Sequence, residues 1–333
     1  MTKSSDPSNI PPVTGQALRD QAQYWVARLV AGDVSENELD RLEAWLAADE
    51  RHARAFSRER ALWQDLHAVS DALAGRKDAP DNLLPLRPRS SVRRHMIRAV
   101  PIALAASLAA IVALPSLVLD LRADHRTAVG QVSRLTLPDG TIAMLDSDSA
   151  VAVDFTDDRR VVHLLAGRAW FQVRHEGRPF SVEAMNGITR DIGTAFEVRR
   201  ERGTVEVGVT QGSVQVRAPD GAQGRPMRIG ERIRYSASGL APLPGLPASQ
   251  LATWRSGEIL FEKQSVQAAI DEIARYRRAS VWMLGDFSKV APVSGLFLIE
   301  RPEEAIQMLA RMRELRVTRL PGGYLIIRPA ATS

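Results

Sequence analysis

Residues 99–119, AVPIALAASLAAIVALPSLVL, form an uninterrupted stretch without a charged side chain between Arg98 and Asp120. At a rise of ~1.5 Å per residue, a helix of this length spans the hydrocarbon core of a bilayer, about 30 Å. A buried helix of a soluble domain usually keeps a polar face, whereas this stretch has only the side chains of Ser107 and Ser116 as polar groups. It therefore predicts a single transmembrane helix that divides the chain into two parts.

Basic residues determine the predicted orientation of this helix. Arg93, Arg94 and Arg98 precede it, and the acidic residues Asp120 and Asp124 follow. Because cytoplasmic flanks of membrane helices carry an excess of Lys and Arg, we predict an inner-membrane protein with a cytoplasmic N-terminus and a periplasmic C-terminus. The arginine pair also fits a twin-arginine export signal, so the route of insertion, twin-arginine or Sec, stays open.

Composition excludes several classes of site. The chain has 333 residues, enough for several domains, and a formal net charge of +5. The arginines before the membrane helix account for part of this charge, and no basic stripe alternates with aromatic residues, so direct nucleic-acid binding is not predicted. The chain contains no cysteine, which excludes disulfides, thiol nucleophiles and Cys-based metal sites.

The part before the membrane helix has helical periodicity. Residues 1–13 predict a disordered tail, residues 14–75 a small all-α bundle of three amphipathic helices, and residues 76–98 a basic, proline-rich linker. Ser35 and Glu38 have the spacing of a capping box that opens the second helix. A bundle this small buries a limited core, so it is expected to be of modest stability.

After the membrane helix the apolar period changes from 3.6 to 2. Val205, Val207 and Val209 alternate with polar or small residues, and turn sequences such as residues 138–140 separate the short runs. Residues 125–238 therefore predict an all-β domain, with a sandwich, a roll or a short solenoid as open alternatives.

Few residues of the β region have the spacing of a catalytic or metal site. His163 and His175 lack the partners of a zinc motif, and residues 146–149, DSDS, fit either a turn or a calcium loop. No serine lies in a nucleophile elbow. We therefore predict no cofactor, no metal and no enzymatic turnover.

The C-terminal part combines helices and strands. Residues 239–253 predict a linker and residues 254–329 an α+β domain of two strand-helix-strand units that share one sheet. An internal repeat with an offset of 36 residues supports the two units. Its first copy includes Ala269, Ile270, Ala274, Arg275, Val281 and Leu284, which return as Ala305, Ile306, Ala310, Arg311, Val317 and Leu320.

Five motifs follow one another in the β region: LTLPDGT at 135–141, GRAWFQV at 167–173, RPFSV at 178–182, GTAFEV at 193–198 and QGSV at 211–214. In this order they resemble the motifs of the FecR family of transmembrane sigma-factor regulators (anti-sigma factors) of iron-uptake signalling at the bacterial cell surface. The C-terminal domain resembles the short N-terminal domain of secretins and TonB-dependent receptors (STN domain).

The resemblance implies partners on both sides of the membrane. The cytoplasmic helices would bind an extracytoplasmic-function sigma factor, with inhibition and activation both open. The periplasmic part would receive a signal from a TonB-dependent outer-membrane receptor in iron or siderophore uptake. Arg275 and Arg311 are candidate docking residues, for which a solvated helix face is the alternative role. Stepwise proteolysis, which ends with an intramembrane protease, would carry the signal. The candidate sigma-binding residues are Trp25, Leu29, Trp45, Leu46 and Trp63, for which core packing is the alternative role.

The resemblance also directs attention to Gly193 and Thr194. Some members of the family cleave themselves at such a Gly-Thr bond, when the Thr hydroxyl attacks the preceding carbonyl in an N-to-O acyl shift. The alternative is that both residues simply begin a strand.

Two other classes of function remain as rivals. A membrane-anchored periplasmic scaffold for envelope assembly could use the same C-terminal domain but would not bind a sigma factor. A membrane-tethered periplasmic enzyme would need a convergent polar site, which the scattered histidines do not provide.

Overall fold

The computed structural model of the chain divides it into two compact units, one of Asp71–Gly257 and one of Met1–Ser70 with Glu258–Ser333. The structure describes residues 15–30, 34–74, 119, 121–201, 203–219 and 224–330.

Within these ranges, no helix is long and apolar enough to cross a membrane. The predicted membrane helix lies outside them apart from Leu119. The predicted tail and the predicted linker, which contains Arg93, Arg94 and Arg98, also lie outside them.

The N-terminal part forms the three predicted helices, α1 (Gly15–Val30), α2 (Glu36–Ala48) and α3 (Glu50–Ala74). The capping box at the start of α2 is confirmed. The backbone N–H of Ser35 donates to Oε2 of Glu38 over 3.0 Å, and the backbone N–H of Glu38 donates to the Ser35 hydroxyl over 3.4 Å. Two otherwise unpaired backbone donors are thereby satisfied, which fixes where α2 begins.

The predicted all-β domain is confirmed, and its described strands join into one thirteen-stranded sheet. The strands are β1 (His125–Arg126), β2 (Ser133–Thr136), β3 (Ile142–Leu145), β4 (Ala150–Phe155), β5 (Arg160–Gln172), β6 (Phe180–Ala184), β7 (Gly187–Asp191), β8 (Ala195–Glu201), β9 (Thr204–Gln211), β10 (Ser213–Arg217), β11 (Arg225–Arg228), β12 (Arg232–Ser236) and β13 (Gly239–Leu243). The order along the main path is β11-β10-β7-β6-β5-β8-β9-β12-β13, with β1 to β4 attached beside β5.

The long strand β5 connects the two halves of this sheet. Its first part pairs with β4 and β6, and its second part pairs with β3 and β8. The ring of Phe171, on the second part, lies 5.8 Å from Phe180 of β6 and 5.7 Å from Phe196 of β8. The two halves therefore share one apolar core.

The prediction of a linker over residues 239–253 differs from the structure. Gly239–Leu243 forms β13, which pairs along its length with β12, and Leu251 and Ala252 are buried. The misleading feature was the Pro, Gly and Ala composition of residues 239–249, which is typical of a linker. Pro242 fits in β13 because β13 is the last strand of the sheet path, where proline is tolerated.

A buried ion pair fixes the predicted turn at residues 138–140. The Nη1 of Arg160 lies 2.6 Å from Oδ2 of Asp139, and both side chains are almost fully buried. The Arg160 guanidinium also donates to the backbone carbonyls of Arg174 and Arg178. Asp139 in turn accepts from the backbone N–H and the hydroxyl of Thr141. Nearly all polar groups of the pair are thus engaged, which is the condition for a stable buried ion pair.

We expect Asp139→Ala to destabilise the β domain by about 3–5 kcal/mol, because it leaves the buried Arg160 charge without its close counterion and with only the carboxylate of Glu176 at 4.0 Å. The matched control is Asp154→Ala, which removes an exposed partner of Arg159 and should cost less than about 1 kcal/mol. Urea unfolding of the full chain, followed by tryptophan fluorescence, measures both. Equal costs for the two variants would contradict this interpretation of the ion pair.

Of the two alternatives for residues 146–149, the structure has the turn. The carboxylate of Asp146 is buried and paired with the guanidinium of Arg168 over 2.6 Å. His163 lies beside Glu183, 3.4 Å from its carboxylate. Among the described residues, no three His, Asp or Glu side chains are grouped so that they could hold a metal ion.

The C-terminal part has the predicted order of strands and helices but contains two sheets, not one. The elements are β14 (Glu258–Gln264), α4 (Val266–Ala274), β15 (Val281–Met283), β16 (Val293–Leu298), α5 (Pro302–Met312), β17 (Leu315–Arg319) and β18 (Leu325–Pro329). The first strands of the two repeats, β14 and β16, pair with each other in one sheet. The second strands, β15 and β17, lie on either side of β18 in another sheet.

The N-terminal helices and the sheet of β15, β18 and β17 share one apolar cluster. Phe56 of α3 is fully buried, and its ring lies 5.0 Å from the ring of Trp282 in β15. The guanidinium of Arg328 in β18 is paired with Asp40 over 2.7 Å and with Glu43 over 3.3 Å. The bundle was predicted to have a core of its own, whereas here the sheet completes that core.

The contact between Phe56 and Trp282 restricts the membrane topology of the chain. Phe56 and Trp282 can touch only when both ends of the chain are in the same compartment. A helix that crosses the membrane once at residues 99–119 would separate them. The described packing and the predicted membrane topology are therefore mutually exclusive within one inserted chain.

Candidate functional site

The predicted Gly-Thr pair lies in the turn between β7 and β8. Gly193 is exposed and has a φ of +83°, a conformation that favours glycine. Thr194 follows directly and is only 5% exposed. The peptide bond between the two residues thus joins an exposed turn to a buried position.

The hydroxyl of Thr194 donates a hydrogen bond to Oδ1 of Asp191. Asp191 ends β7 and is aligned by pairing with Val214 of β10. The carbonyl of Thr194 accepts from the backbone N–H of Val173 over 3.0 Å. Both partners of the hydroxyl–carboxylate pair are therefore held by neighbouring strands.

Gly212, between β9 and β10, packs against the same peptide bond. A Cβ atom placed on Gly212 would lie 2.4 Å from the carbonyl oxygen of Gly193 and 3.0 Å from Cγ2 of Thr194. The φ of Gly212, +70°, also favours glycine. A larger residue at this position would displace the carbonyl.

This arrangement suits an intramolecular acyl transfer. The Thr194 hydroxyl and the Gly193 carbonyl carbon belong to adjacent residues, so attack closes a five-membered ring, and Gly193 has no side chain to block it. An adjacent base is the usual means of activating a hydroxyl nucleophile. Asp191 and Gly212 were not among the predicted site residues, although Asp191 stands three positions before Thr194 in the sequence.

A cut at this bond would leave the two fragments hydrogen-bonded to each other. β1 to β7 would lie on the first fragment and β8 to β18 on the second. The pairing of Gly167–Gln172 with Ala195–Arg200 joins β5 to β8, and the pairing of Ile188–Asp191 with Val214–Arg217 joins β7 to β10. Cleavage alone is therefore not expected to release either fragment.

The predicted sigma-binding residues of α1 and α2 differ in exposure. Leu46 is fully buried, whereas Trp25, Leu29 and Trp45 are partly buried at the edge of the apolar cluster. The ring of Trp45 is stacked on His52 at 4.6 Å, and its Nε1 donates to Gln21 over 2.9 Å. Leu46 thus has the core role. The side chain of Trp63, in α3, lies outside the described residues.

An ion pair connects α1 to the start of α2. Nη2 of Arg28 lies 2.7 Å from Oε1 of Glu38. Hydrogen bonds from the backbone of Ser35 and from Arg28 lower the pKa of Glu38 to about 2. Because the folded pKa is depressed, this contribution to stability is present above the ordinary pKa of Glu and is lost as the pH falls towards 2.

The two predicted docking arginines occupy equivalent places in the C-terminal repeat. Arg275 follows α4 and is partly buried, and Arg311 is exposed in the last turn of α5. Sequence reasoning missed an apolar surface on the sheet of β14 and β16. Leu260 and Leu296 face each other across the two strands, and both are exposed, with Leu298 further along.

Comparison with known proteins finds one family model in the β domain and another in the N-terminal helices. The family model described as FecR protein matches residues 123–215, within the β domain. A second model, described as a domain of unknown function (DUF4880), matches residues 20–62, within the helices. No curated protein matches the chain at a significant level.

Two crystal structures, at 2.50 and 1.65 Å resolution, are similar in fold. Both are of a protein from Parabacteroides distasonis that is provisionally described as an anti-sigma factor. Each has 21% sequence identity and a TM-score of 0.53, and the match covers 62% of this chain and 98% or 99% of the other.

These matches define the class as proteins that carry a FecR domain after a short helical region. Residues 123–215 match the FecR family, as the sequence resemblance predicted.

Proposed function

We propose that the chain is a single-pass inner-membrane regulator whose N-terminal helices bind and control an extracytoplasmic-function sigma factor. Its periplasmic part takes a signal from a TonB-dependent outer-membrane receptor in iron or siderophore uptake. The observation that carries this proposal is that two family models match the helices and the β domain, on either side of the predicted membrane helix. The FecR family is membrane-associated in general.

The chemistry of the helices supports a protein partner. Phe56 is fully buried and in contact with Trp282. Burial of such a side chain contributes about 1.5–3 kcal/mol, so helices that lose this cover favour another apolar partner. Asp40 and Glu43 lie beside this apolar face and pair with Arg328. A partner surface with an apolar centre and a neighbouring arginine therefore fits it.

Membrane insertion makes this face available. A chain that crosses the membrane at residues 99–119 cannot keep Phe56 against Trp282. Insertion would therefore expose the face on the cytoplasmic side, where the sigma factor is. The sigma factor would then cover the face of the helices that the sheet of β15, β18 and β17 covers in the structure.

Capture of a sigma factor by the full chain tests this function. We expect the chain, in detergent micelles, to retain an extracytoplasmic-function sigma factor encoded beside it. Asp40→Arg places a like charge opposite the partner's basic residue and should weaken binding at least tenfold, or about 1.4 kcal/mol. Asp20→Arg makes the same charge change on an exposed residue of α1 and should leave binding unchanged.

The periplasmic scaffold is the alternative outcome of that experiment. Complete absence of sigma-factor capture, by a chain that is folded and inserted, would favour the scaffold. If Asp40→Arg and Asp20→Arg weaken sigma-factor binding equally, the proposed function is supported, but the face assigned to the sigma factor is wrong.

The C-terminal domain supplies the surface for the receptor in this proposal. Leu260, Leu296 and Leu298 form an exposed apolar strip on the sheet of β14 and β16. Apolar patches on a folded surface often mark protein contacts. Arg311 adds an exposed positive charge on the neighbouring helix for an acidic group of the receptor.

We also propose that the chain cleaves its own Gly193–Thr194 bond once, as the first step of stepwise proteolysis. The buried Thr194 hydroxyl, the exposed Gly193 and the close approach of Gly212 support this step. Because the fragments stay paired through β5–β8 and β7–β10, a receptor signal is needed to separate them. An intramembrane protease would then release the helices with their sigma factor.

A further inference from the structure

We propose that Asp191 is the catalytic base of the cleavage at Gly193–Thr194, on the ground that its carboxylate accepts the hydrogen of the attacking hydroxyl. This inference rests on the self-cleavage proposed above. It adds a third residue to a Gly-Thr pair that by itself supplies only a nucleophile and a bond.

The environment of Thr194 makes an internal base necessary. Thr194 is 5% exposed, so bulk water has little access to its hydroxyl. A threonine hydroxyl is a weak nucleophile until a neighbouring group removes its proton. Asp191 accepts the hydrogen bond from this hydroxyl, so its carboxylate is in reach of the proton.

The strands fix the geometry of the pair. Asp191 is the last residue of β7 and is aligned with Val214, while β8 begins directly after Thr194, at Ala195. The carboxylate and the hydroxyl therefore approach each other from the two sides of one turn. Such positioning lowers the entropic cost of reaching the reactive geometry.

The reaction balances with water as the only co-reactant. Oγ1 of Thr194 forms a bond to the carbonyl carbon of Gly193, and its proton passes to the carboxylate of Asp191. The bond from this carbon to the Thr194 nitrogen then breaks, and Asp191 returns the proton to that nitrogen. The product is an ester between Gly193 and the Thr194 side chain, with a free α-amino group on Thr194.

Hydrolysis of the ester completes the cut. Water adds to the ester carbonyl, the bond to Oγ1 breaks, and the Thr194 hydroxyl is restored. The products are a C-terminal carboxylate on Gly193 and an N-terminal amine on Thr194. Gly193 is exposed, so solvent water can reach this carbonyl.

Pulse-chase synthesis of the full chain tests the role of Asp191. We expect Asp191→Asn, which keeps the size of the side chain but is a far weaker base, to slow cleavage at least 100-fold, the usual range for loss of a general base. Asp157→Asn is the matched control, because Asp157 lies in the exposed turn between β4 and β5. That control should be cut at the rate of the unchanged chain.

A second measurement separates catalysis from a structural role of the hydrogen bond. Hydroxylamine attacks esters, so it should speed the cut of the unchanged chain once the acyl shift has occurred. It should not rescue Asp191→Asn, in which the ester does not form.

The possible outcomes separate this inference from the proposed function. An unchanged chain that stays intact would overturn both the self-cleavage and the role of Asp191. Cleavage of Asp191→Asn at the unchanged rate would overturn the role of Asp191 alone. Rapid cutting of Asp191→Asn by hydroxylamine would also overturn it, because the ester would then form without the carboxylate. The unchanged chain and Asp191→Asn should capture the sigma factor equally well.

Discussion

Thr194→Val is expected to abolish cleavage at residue 193 and to leave a single full-length chain. Valine has nearly the shape of threonine and suits the start of a β-strand, but it has no hydroxyl to attack the Gly193 carbonyl. The loss should be complete within detection, because the nucleophile itself is removed. Thr194→Ser keeps a hydroxyl on the same atom position and should still be cut.

The chain offers a matched control for this substitution. Thr189, also in this part of the sheet, is fully buried, and its hydroxyl has no hydrogen-bond partner among the described residues. Thr189→Val should therefore be tolerated and cut normally. Denaturing gels and mass spectrometry of the fragment ends measure both variants. A cut after residue 193 in Thr194→Val would contradict the acyl shift.

The same samples on a native gel test the pairing of the fragments. The cleaved chain should migrate with the uncleaved Thr194→Val chain, because β5 remains paired with β8 and β7 with β10. Separation should occur only in denaturant. Spontaneous separation would mean that cleavage alone delivers the signal.

Local signals allowed much of the fold to be predicted. Ser35 and Glu38 marked the start of α2, because a capping box acts within four residues. The same kind of local signal is present at α4, where the hydroxyl of Ser265 accepts from the backbone N–H of Ala268. The repeat with an offset of 36 residues gave the order of elements in the C-terminal domain. Each of these signals is contained in a short segment.

Features that depend on strand pairing were not predictable. Asp191 and Gly212 meet the Gly193–Thr194 bond only because β7 pairs with β10 and β8 with β9. The division of the C-terminal strands into two sheets likewise depends on which strands pair. Phe56 and Trp282 are far apart in the sequence, so no local pattern marks them as neighbours.

Cysteine labelling can show on which side of the membrane each end of the chain lies. The chain has no cysteine, so single cysteines can be introduced as reporters without removing any. Ala44 of α2 and Gln267 of α4 are exposed, and substitution there should not disturb packing. A maleimide that cannot cross the membrane, added to spheroplasts, labels only cysteines on the periplasmic side.

This labelling tests whether one chain presents its helices to the cytoplasm and its C-terminal domain to the periplasm. We expect Gln267→Cys to be labelled in intact spheroplasts and Ala44→Cys only after the membrane is made permeable. Labelling of both variants in intact spheroplasts, or of neither, would place both ends in one compartment. That is the arrangement in which Phe56 touches Trp282 and Arg328 pairs with Asp40, and it would contradict the proposed transmembrane regulator.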